Sequence, residues 1–397
     1  MTAMKLNPRR KGVLATCCGA HVVQDGLSAA LYVILPILAQ AFGLNYAQIG
    51  ILRAVNNGAM ALLEMSSGFM AERFGERSLL VFGLICAGFG YVVLAMANGI
   101  WIILPCLFIV GIGGAFQHAL SSSIVSNTFD HNGRRSALGL YNSSGDVGKV
   151  LFTAAFSLAT GIGVAWQGIA LGFGVVALAY GAAVFFTLRA LTAGDRRLVV
   201  KPSDGAASSI GWGIRDRTSL VALGVAVFLD TAIQAGFLTF LAFFIAAKEV
   251  PLHLATFAVT LTLIGGIFGK VACGFLAERI GTRYAFALVQ CITAVGIVAV
   301  LVSERFLAFA LLPVLGIFLQ GSTSITYGVV GELVHSERVS RGFALIYSIS
   351  SLSGLLGPVF FGLLGDYFGI EPTMLAMALV SLLAIPPCML VQPKPGS

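Results

Sequence analysis

The chain has 397 residues, of which 58% are hydrophobic and only 10% are charged. A soluble protein of this size has roughly a quarter of its residues charged. The composition therefore excludes a soluble fold and predicts a helical protein that crosses a lipid bilayer many times. The net charge of +7 does not indicate nucleic-acid binding, because the excess lysine and arginine falls in loops on one side of the predicted membrane protein.

Apolar runs long enough to span a bilayer, about 20 residues each, recur along the chain and predict twelve transmembrane helices. In chain order these cover residues 13–42, 47–71, 78–97, 100–127, 135–161, 166–190, 219–247, 253–277, 284–302, 306–331, 342–368 and 373–391. The first run lacks a small-residue cleavage site, so we expect it to stay in the membrane rather than act as a signal peptide. The polar stretch 191–218 is predicted to be a cytoplasmic linker between an N-terminal six-helix bundle, 1–190, and a C-terminal six-helix bundle, 219–397.

A ten-residue stretch occurs twice, about half the chain apart. It reads GFMAERFGER from Gly68 to Arg77 and GFLAERIGTR from Gly274 to Arg283, and each copy connects two predicted helices. The first helix of each half also matches, with GAHVVQD ending at Asp25 and GVAVFLD ending at Asp230. A repeat of this length and spacing indicates two homologous membrane-embedded halves.

The basic residues set the predicted orientation. One side of the membrane would contain the N-terminus, the turns from even to odd helices, the linker and the C-terminus. These segments include 19 of the 24 lysines and arginines, whereas the turns on the opposite side contain only Lys248 and Arg305. We therefore predict a multi-pass protein of the cytoplasmic (inner) membrane with both termini in the cytoplasm.

The repeated turn resembles the signature G-x-L-A-D-R-x-G-R-[RK] of the major facilitator superfamily, and with twelve helices the resemblance covers the whole chain. It implies an all-α fold of two six-helix bundles, in which the repeated turns act as a cytoplasmic gate; the alternative is a turn that only follows the distribution of positive charge. We expect two of the glycines in each turn to allow a close helix approach and a tight turn, respectively. The predicted gate residues are Gly68, Glu72, Arg73, Gly75 and Arg77 in the first half and Gly274, Glu278, Arg279, Gly281 and Arg283 in the second, with Glu72 and Glu278 in place of the usual aspartate.

Two features that are common in proton-coupled exporters of this superfamily are absent from the sequence. The turn before Gly111 in the fourth helix contains no arginine, and the fifth helix contains GDVGK, beginning at Gly145, rather than a Gly-Pro pair. The segments HVVQDG and FQH, in the first and fourth helices, faintly resemble the fosmidomycin-resistance-like efflux branch.

A charged side chain at mid-bilayer costs roughly 2.5–3.5 kcal/mol, so polar groups inside the predicted helices are the candidate functional residues. Asp146 and Lys149 share one helical face, whereas their counterparts in the second half are leucines. This favours a solute or proton site over the alternative, an ion pair that only fixes helix packing. The predicted solute and proton pathway contains His21, Asp25, Arg53, Asn57, Gln117, His118, Asp146, Lys149, Asp230, Gln234, Gln320 and Tyr347.

Asp25 and Asp230 occupy equivalent depths in helices that line the central cavity of this superfamily, and we expect them to load and unload protons. His21 lies one helical turn before Asp25, where it could share that proton or be an ordinary hydrogen-bonded helix residue.

The sequence contains no nucleotide-binding loop, no GxSxG motif and no metal-ligand spacing, so it predicts neither an enzyme nor a bound cofactor or metal. Duplicated bundles with buried titratable groups predict a secondary active transporter that works by alternating access as a monomer in the bilayer. We favour proton-coupled efflux of a drug-like or metabolite compound. The alternatives are proton-coupled uptake of a small organic anion and a non-transporting sensor or assembly factor with the same fold.

Overall fold

The computed structural model describes residues 7–195, 214–335 and 339–392, and these residues are almost entirely helical. The helices are α1 (Pro8–Phe42), α2 (Tyr46–Phe74), α3 (Glu76–Leu94), α4 (Ile100–Ala115), α5 (Gln117–Thr128), α6 (His131–Gly161), α7 (Trp166–Ala190), α8 (Arg217–Ala247), α9 (Leu252–Ile280), α10 (Thr282–Val302), α11 (Arg305–Leu333), α12 (Val339–Phe368), α13 (Ile370–Leu383) and α14 (Ile385–Met389). Most of the predicted linker lies outside the described residues.

Each of the twelve predicted transmembrane helices has a counterpart, which confirms the all-α membrane fold. Two of them are interrupted: the fourth consists of α4 and α5, which are separated at Phe116, and the twelfth consists of α13 and α14, which are separated at Ala384. Among the described residues, ten helices are long and apolar enough to cross a membrane, and α2 and α6 are not among these ten. Both α2 and α6 contain intramembrane charges, including Arg53 in α2 and Lys149 in α6.

The chain divides into two compact units, each with its own core. The first consists of Met1–Gly43 and Val55–Val199, and the second of Leu44–Ala54 and Val200–Ser397. The start of α2 therefore groups with the second unit, where the Asp366 carboxylate accepts hydrogen bonds from the backbone N–H groups of Tyr46 and Ala47 at 2.8 and 3.0 Å.

Close backbone contact between α1 and α6 positions the polar residues of the first unit. An added Cβ at Gly148 of α6 would lie 2.2 Å from the carbonyl oxygen of Val22, and one at Gly26 of α1 would lie 2.3 Å from the Phe152 ring. Because neither position has room for a side chain, the two helices approach closely at this level. The approach brings the charged face of α6 against the polar residues of α1.

The glycines of the repeated turn behave differently from one another. Gly75 and Gly281 have φ angles of +84° and +81°, a conformation that costs glycine little, so the predicted tight turn is confirmed. The predicted close helix approach at Gly68 and Gly274 is wrong for the described residues. An added Cβ would meet nothing within 4 Å at Gly68 and only the Ser324 Cβ, at 3.8 Å, at Gly274.

Candidate solute- and ion-binding site

The first unit contains a buried pair of polar residues on α1. His21 and Asp25 are one helical turn apart, which places them on the same face, and their side chains are almost completely buried. The His21 Nε2 atom lies 3.4 Å from the Asp25 Oδ1 atom. The predicted proximity of these two residues is therefore present in the structure.

Two further helices bring charged or ionisable side chains to Asp25. His118, from the start of α5, places its Nε2 atom 3.6 Å from Asp25 Oδ1. Lys149, from α6, places its Nζ atom 3.3 Å from Asp25 Oδ2 and 3.1 Å from Asp146 Oδ1. We call these five residues, His21, Asp25, His118, Asp146 and Lys149, the Asp25 cluster.

Hydrogen bonding fixes the tautomer of His21. Its Nδ1 atom is 2.8 Å from the carbonyl oxygen of Tyr141, and because a carbonyl can only accept, Nδ1 must carry the hydrogen and donate it. The Tyr141 ring stacks on the imidazole, with ring centroids 4.3 Å apart. In the neutral ring, the Nε2 lone pair therefore points towards Asp25.

Gln117 lies next to this arrangement. Its Nε2 atom donates to the Ser121 hydroxyl at 3.2 Å and to the Tyr141 hydroxyl at 3.4 Å. Gln117 thus supports the residue that orients His21, and it precedes His118 at the point where α5 begins.

Gly145 lies beside the His21 and Asp25 side chains, and because it has no side chain it leaves room for them. An added Cβ at this position would lie 2.5 Å from His21 Nε2 and 2.9 Å from Asp25 Oδ2. Contacts this short would displace the imidazole or the carboxylate. The glycine in the GDVGK segment therefore has a direct role in shaping the Asp25 cluster.

The second unit contains a different arrangement around Asp230 of α8. The Asp230 carboxylate accepts hydrogen bonds from Gln290 Nε2 of α10 at 2.5 Å, from Gln234 Nε2 at 2.8 Å and from the Ser322 hydroxyl of α11 at 2.8 Å. Gln290 Oε1 in turn accepts a bond from Ser381 of α13 at 2.5 Å. We call these five residues the Asp230 network.

In the described part of the chain, no lysine, arginine or histidine lies within 4 Å of the Asp230 carboxylate. The thiols of Cys273 on α9 and Cys388 on α14 lie close enough to interact with its charge, and Arg283 interacts with Cys388. The two equivalent aspartates thus differ: Asp25 faces a lysine and two histidines, whereas Asp230 faces neutral donors.

The remaining predicted pathway residues lie on α2, α11 and α12. Arg53 and Asn57 are buried in α2, but Arg53 belongs to the second unit and Asn57 to the first. The Gln320 side chain packs against Gly266, and Tyr347 is half-exposed and contacts the rings of Tyr327 and Phe343.

The repeated turn makes its described contacts within its own unit. Arg77 pairs with Asp195 at 2.6 Å, just beyond the end of α7, and Glu76 accepts a hydrogen bond from Ser123 of α5. In the second unit, Arg283 donates to the carbonyl oxygen of Val391, just beyond the end of α14. In both units, therefore, the last arginine of the motif ties the third helix of its half to the end of the sixth.

The sequence analysis missed several residues that complete these sites. Gln290 lies in α10, one of the helices apolar enough to cross a membrane, and a buried amide in such a span is a signal that could have identified it. Ser322 and Ser381 gave no comparable signal. The fold also brings ligating atoms of His21, Asp25 and His118 within 4.8 Å of one another from two helices. Spacing along the sequence could not show this proximity.

Comparison with known proteins identifies the family. A family model described as the Major Facilitator Superfamily matches residues 17–247 and 220–397. The chain therefore belongs to the major facilitator superfamily of membrane transporters, which confirms the resemblance noted in the repeated turn.

Curated relatives include proteins of known and unknown role. YfnC of Bacillus subtilis strain 168, an uncharacterised transporter of the superfamily, is 26% identical over 92% of this chain and 89% of its own length. The class G tetracycline resistance protein of Vibrio anguillarum is 33% identical over 42% of each chain. The fosmidomycin resistance protein of Escherichia coli K12 is 26% identical over 28% of each chain.

Solved structures share the fold. A bacterial homologue of the human lysosomal transporter Spinster, in an inward-facing and occupied conformation, superposes with a TM-score of 0.83 at 17% identity, over 97% of both chains. At this level of identity the likeness concerns the fold, which agrees with the predicted major facilitator architecture.

Proposed function

We propose that the protein is a proton-coupled secondary transporter that exports a small organic solute across the cytoplasmic membrane, with both termini in the cytoplasm. The observation that carries this proposal is the contrast between the two equivalent aspartates. Asp25 lies in a cluster of mixed charge, and Asp230 lies in a network of neutral donors. One unit thus offers a site for a polar solute, and the other offers a carboxylate that a proton can neutralise.

The Asp25 cluster is suited to solute binding because it combines buried and accessible polar atoms. Asp25 and His21 are buried, whereas the side chains of His118 and Lys149 are 44% and 31% exposed. These two side chains can exchange contacts within the cluster for contacts with a solute. We assign Arg53, Asn57, Gln117, Gln320 and Tyr347 to the same pathway, as their polar side chains in apolar helices predict.

The Asp230 network is suited to proton binding because it satisfies the carboxylate without a nearby cation. A buried carboxylate without an ion-pair partner is costly as an anion, and binding of one proton removes that charge while the helices remain in place. The Ser322 hydroxyl can both donate and accept, so it can bond either form of Asp230. We therefore assign proton coupling to Asp230, with Gln234 as a supporting donor.

Export is supported by two relatives that are named for resistance to tetracycline and to fosmidomycin. Uptake of a small organic anion is the second candidate, and the partly exposed Lys149 and His118 favour it because both side chains can donate to an anionic group. The positive-inside distribution of basic residues supports the cytoplasmic placement of the termini.

The coupling can be tested with purified protein in proteoliposomes that contain a panel of organic cations, anions and neutral compounds. We expect an imposed pH gradient to drive accumulation of at least one compound by the wild type. The Asp230→Asn variant should lose this accumulation but retain solute exchange at equal pH, because only proton binding is removed. Asp216→Asn, the same change at the residue that precedes α8, is the matched control and should retain both.

Unchanged gradient-driven accumulation in Asp230→Asn would refute the assigned proton site. If no compound moves through the wild type, whether by accumulation or by exchange, the transport proposal itself is refuted and the non-transporting alternative gains support. The direction of movement in vesicles of known orientation separates export from uptake.

A further inference from the structure

Three residues of the Asp25 cluster bring ligating atoms close together. One ligating atom from each of His21, His118 and Asp25 lies within 4.8 Å of the other two, and both histidine Nε2 atoms lie near Asp25 Oδ1. We propose that these residues bind a divalent transition-metal ion of the Zn²⁺, Co²⁺ or Ni²⁺ class. This inference goes beyond the proposed transport function, since metal binding can be measured on the purified protein without any transport.

Two of the three distances between the ligating atoms match those of a metal site. Tetrahedral coordination at about 2.0–2.2 Å places neighbouring ligand atoms roughly 3.3–3.6 Å apart. The Asp25 Oδ1 atom is 3.4 Å from His21 Nε2 and 3.6 Å from His118 Nε2. Two imidazoles and one carboxylate form a donor set that suits first-row transition metals rather than Mg²⁺ or Ca²⁺, which prefer oxygen ligands alone.

The surroundings prepare His21 to act as a ligand. A metal-binding imidazole usually donates its other ring N–H to a carbonyl or carboxylate, which fixes the tautomer and the ring orientation. The bond from His21 Nδ1 to the Tyr141 carbonyl has this form, and stacking on Tyr141 holds the plane of the ring. In the neutral ring, Nε2 then offers its lone pair on the side of the Asp25 carboxylate, where both atoms can bind one cation.

The position of Lys149 also favours a cation beside the Asp25 Oδ1 atom. Lys149 contacts Asp25 through Oδ2 and leaves Oδ1 to the imidazoles, and its charge is shared with Asp146. The ammonium group orients the Asp25 carboxylate from the side opposite the ligating oxygen.

The proposed site is open on one side. His118 is 44% exposed at its side chain, and Gly145 keeps a Cβ out of the space beside His21 and Asp25. Three protein ligands with an accessible fourth position are typical of sites that exchange a ligand, whereas structural zinc sites are closed by four protein ligands. The bound ion is therefore expected to exchange with ions in solution.

The test is a Co²⁺ titration of the purified full-length protein, prepared with a histidine-free affinity tag and stripped with a chelator. The readouts are the ligand-field absorption of Co²⁺ and the bound metal per chain by mass spectrometry, followed by displacement with Zn²⁺. We expect one ion per chain. Outer hydrogen-bond partners alone change metal affinity about 10–100-fold, so loss of a ligand in His118→Asn should weaken binding at least about tenfold.

Two further variants test whether binding requires this site in particular. Gly145→Ala keeps all three ligands but adds a Cβ next to His21 Nε2, so it should also lose binding. His253→Asn in α9, which removes a histidine outside the cluster, should bind as the wild type does. Thermal unfolding and size-exclusion profiles confirm that each variant is folded. Absence of saturable binding in the wild type, or equal binding in folded His118→Asn and Gly145→Ala, would overturn the proposal.

Discussion

Asp25 and Asp230 show how one duplicated position can acquire two environments. The helices α1 and α8 preserve an aspartate at matching depth, but the neighbours of the first are Lys149, His21 and His118, whereas those of the second are amides and hydroxyls. The difference arises from other helices, because the residues of the second half that correspond to Asp146 and Lys149 are leucines. Specialisation of the two units is therefore visible at single residues.

Lys149 offers a direct stability test at the residue scale. Its ammonium group contacts both Asp25 and Asp146, so Lys149→Ala removes one cation from two largely buried carboxylates. Removing one partner of a buried ion pair typically destabilises a protein by about 3–5 kcal/mol. Because Lys149 is partly exposed, we expect the free energy of unfolding to fall by about 3 kcal/mol or less. Thermal unfolding in detergent measures it.

Lys11→Ala, which truncates an exposed lysine near the start of α1, is the matched control and should unfold at the wild-type temperature. A double variant, Lys149→Met with Asp146→Asn, should recover part of the loss because it also removes the charge of Asp146. Unfolding of Lys149→Ala at the wild-type temperature would show that the ion pair contributes nothing to stability.

At the scale of elements, α6 has one face that packs tightly on α1 and another that does not. Gly148 meets the Val22 backbone, whereas an added Cβ at Gly139 would meet nothing within 4 Å. The same substitution on one helix should therefore have opposite effects at the two positions. Comparing the two variants separates the effect of helix propensity on stability from the effect of packing.

Gly148→Ala should destabilise the protein by more than about 1 kcal/mol, because the new methyl group forces α6 away from α1. Gly139→Ala should be neutral or stabilise by up to about 1 kcal/mol, because alanine favours a helix more than glycine does. Unfolding temperatures of the two variants, measured side by side, check the prediction. Equal behaviour of the two variants would mean that the close approach of α1 and α6 does not limit stability.

The repeated turn connects helices within each half of the chain. Its last arginine ties the third helix of each half to the end of the sixth, through Asp195 and Gly194 in the first unit and Val391 in the second. The described contacts show how the turn stabilises each bundle. Its role as a cytoplasmic gate remains a prediction from the family resemblance.

At the scale of the whole molecule, hydropathy and the repeat predicted most of the fold. Long apolar runs predicted the number of membrane-spanning helices. The repeated motif predicted the tight turns at the two glycines that have positive φ angles. Contacts between helices could not be predicted in the same way, because one sequence does not say which helices become neighbours. His118 meets Asp25 only when α5 packs beside α1, and Gln290 meets Asp230 only through α10. The close approach expected at Gly68 failed for the same reason.

The charges of α6 have a consequence for synthesis of the protein. Helix α6 is not among those apolar enough to cross a membrane by composition, whereas the corresponding segment of α12, Arg341–Phe368, is. Each buried charge adds roughly 2.5–3.5 kcal/mol to insertion by the translocon. We therefore expect α6 alone to insert incompletely in a glycosylation-mapping assay, and Asp146→Leu with Lys149→Leu, the residues of α12, to raise insertion to the level of α12.

Complete insertion of wild-type α6 alone would contradict this expectation.

Helix α1 leaves the ribosome before α6, and its Asp25 is the partner that Lys149 contacts in the folded chain. Retention of α6 in the bilayer then depends on a helix that is already there. The order of translation thus becomes a condition for assembly of the first bundle, and the Asp25 cluster can form while the second half is still being synthesised.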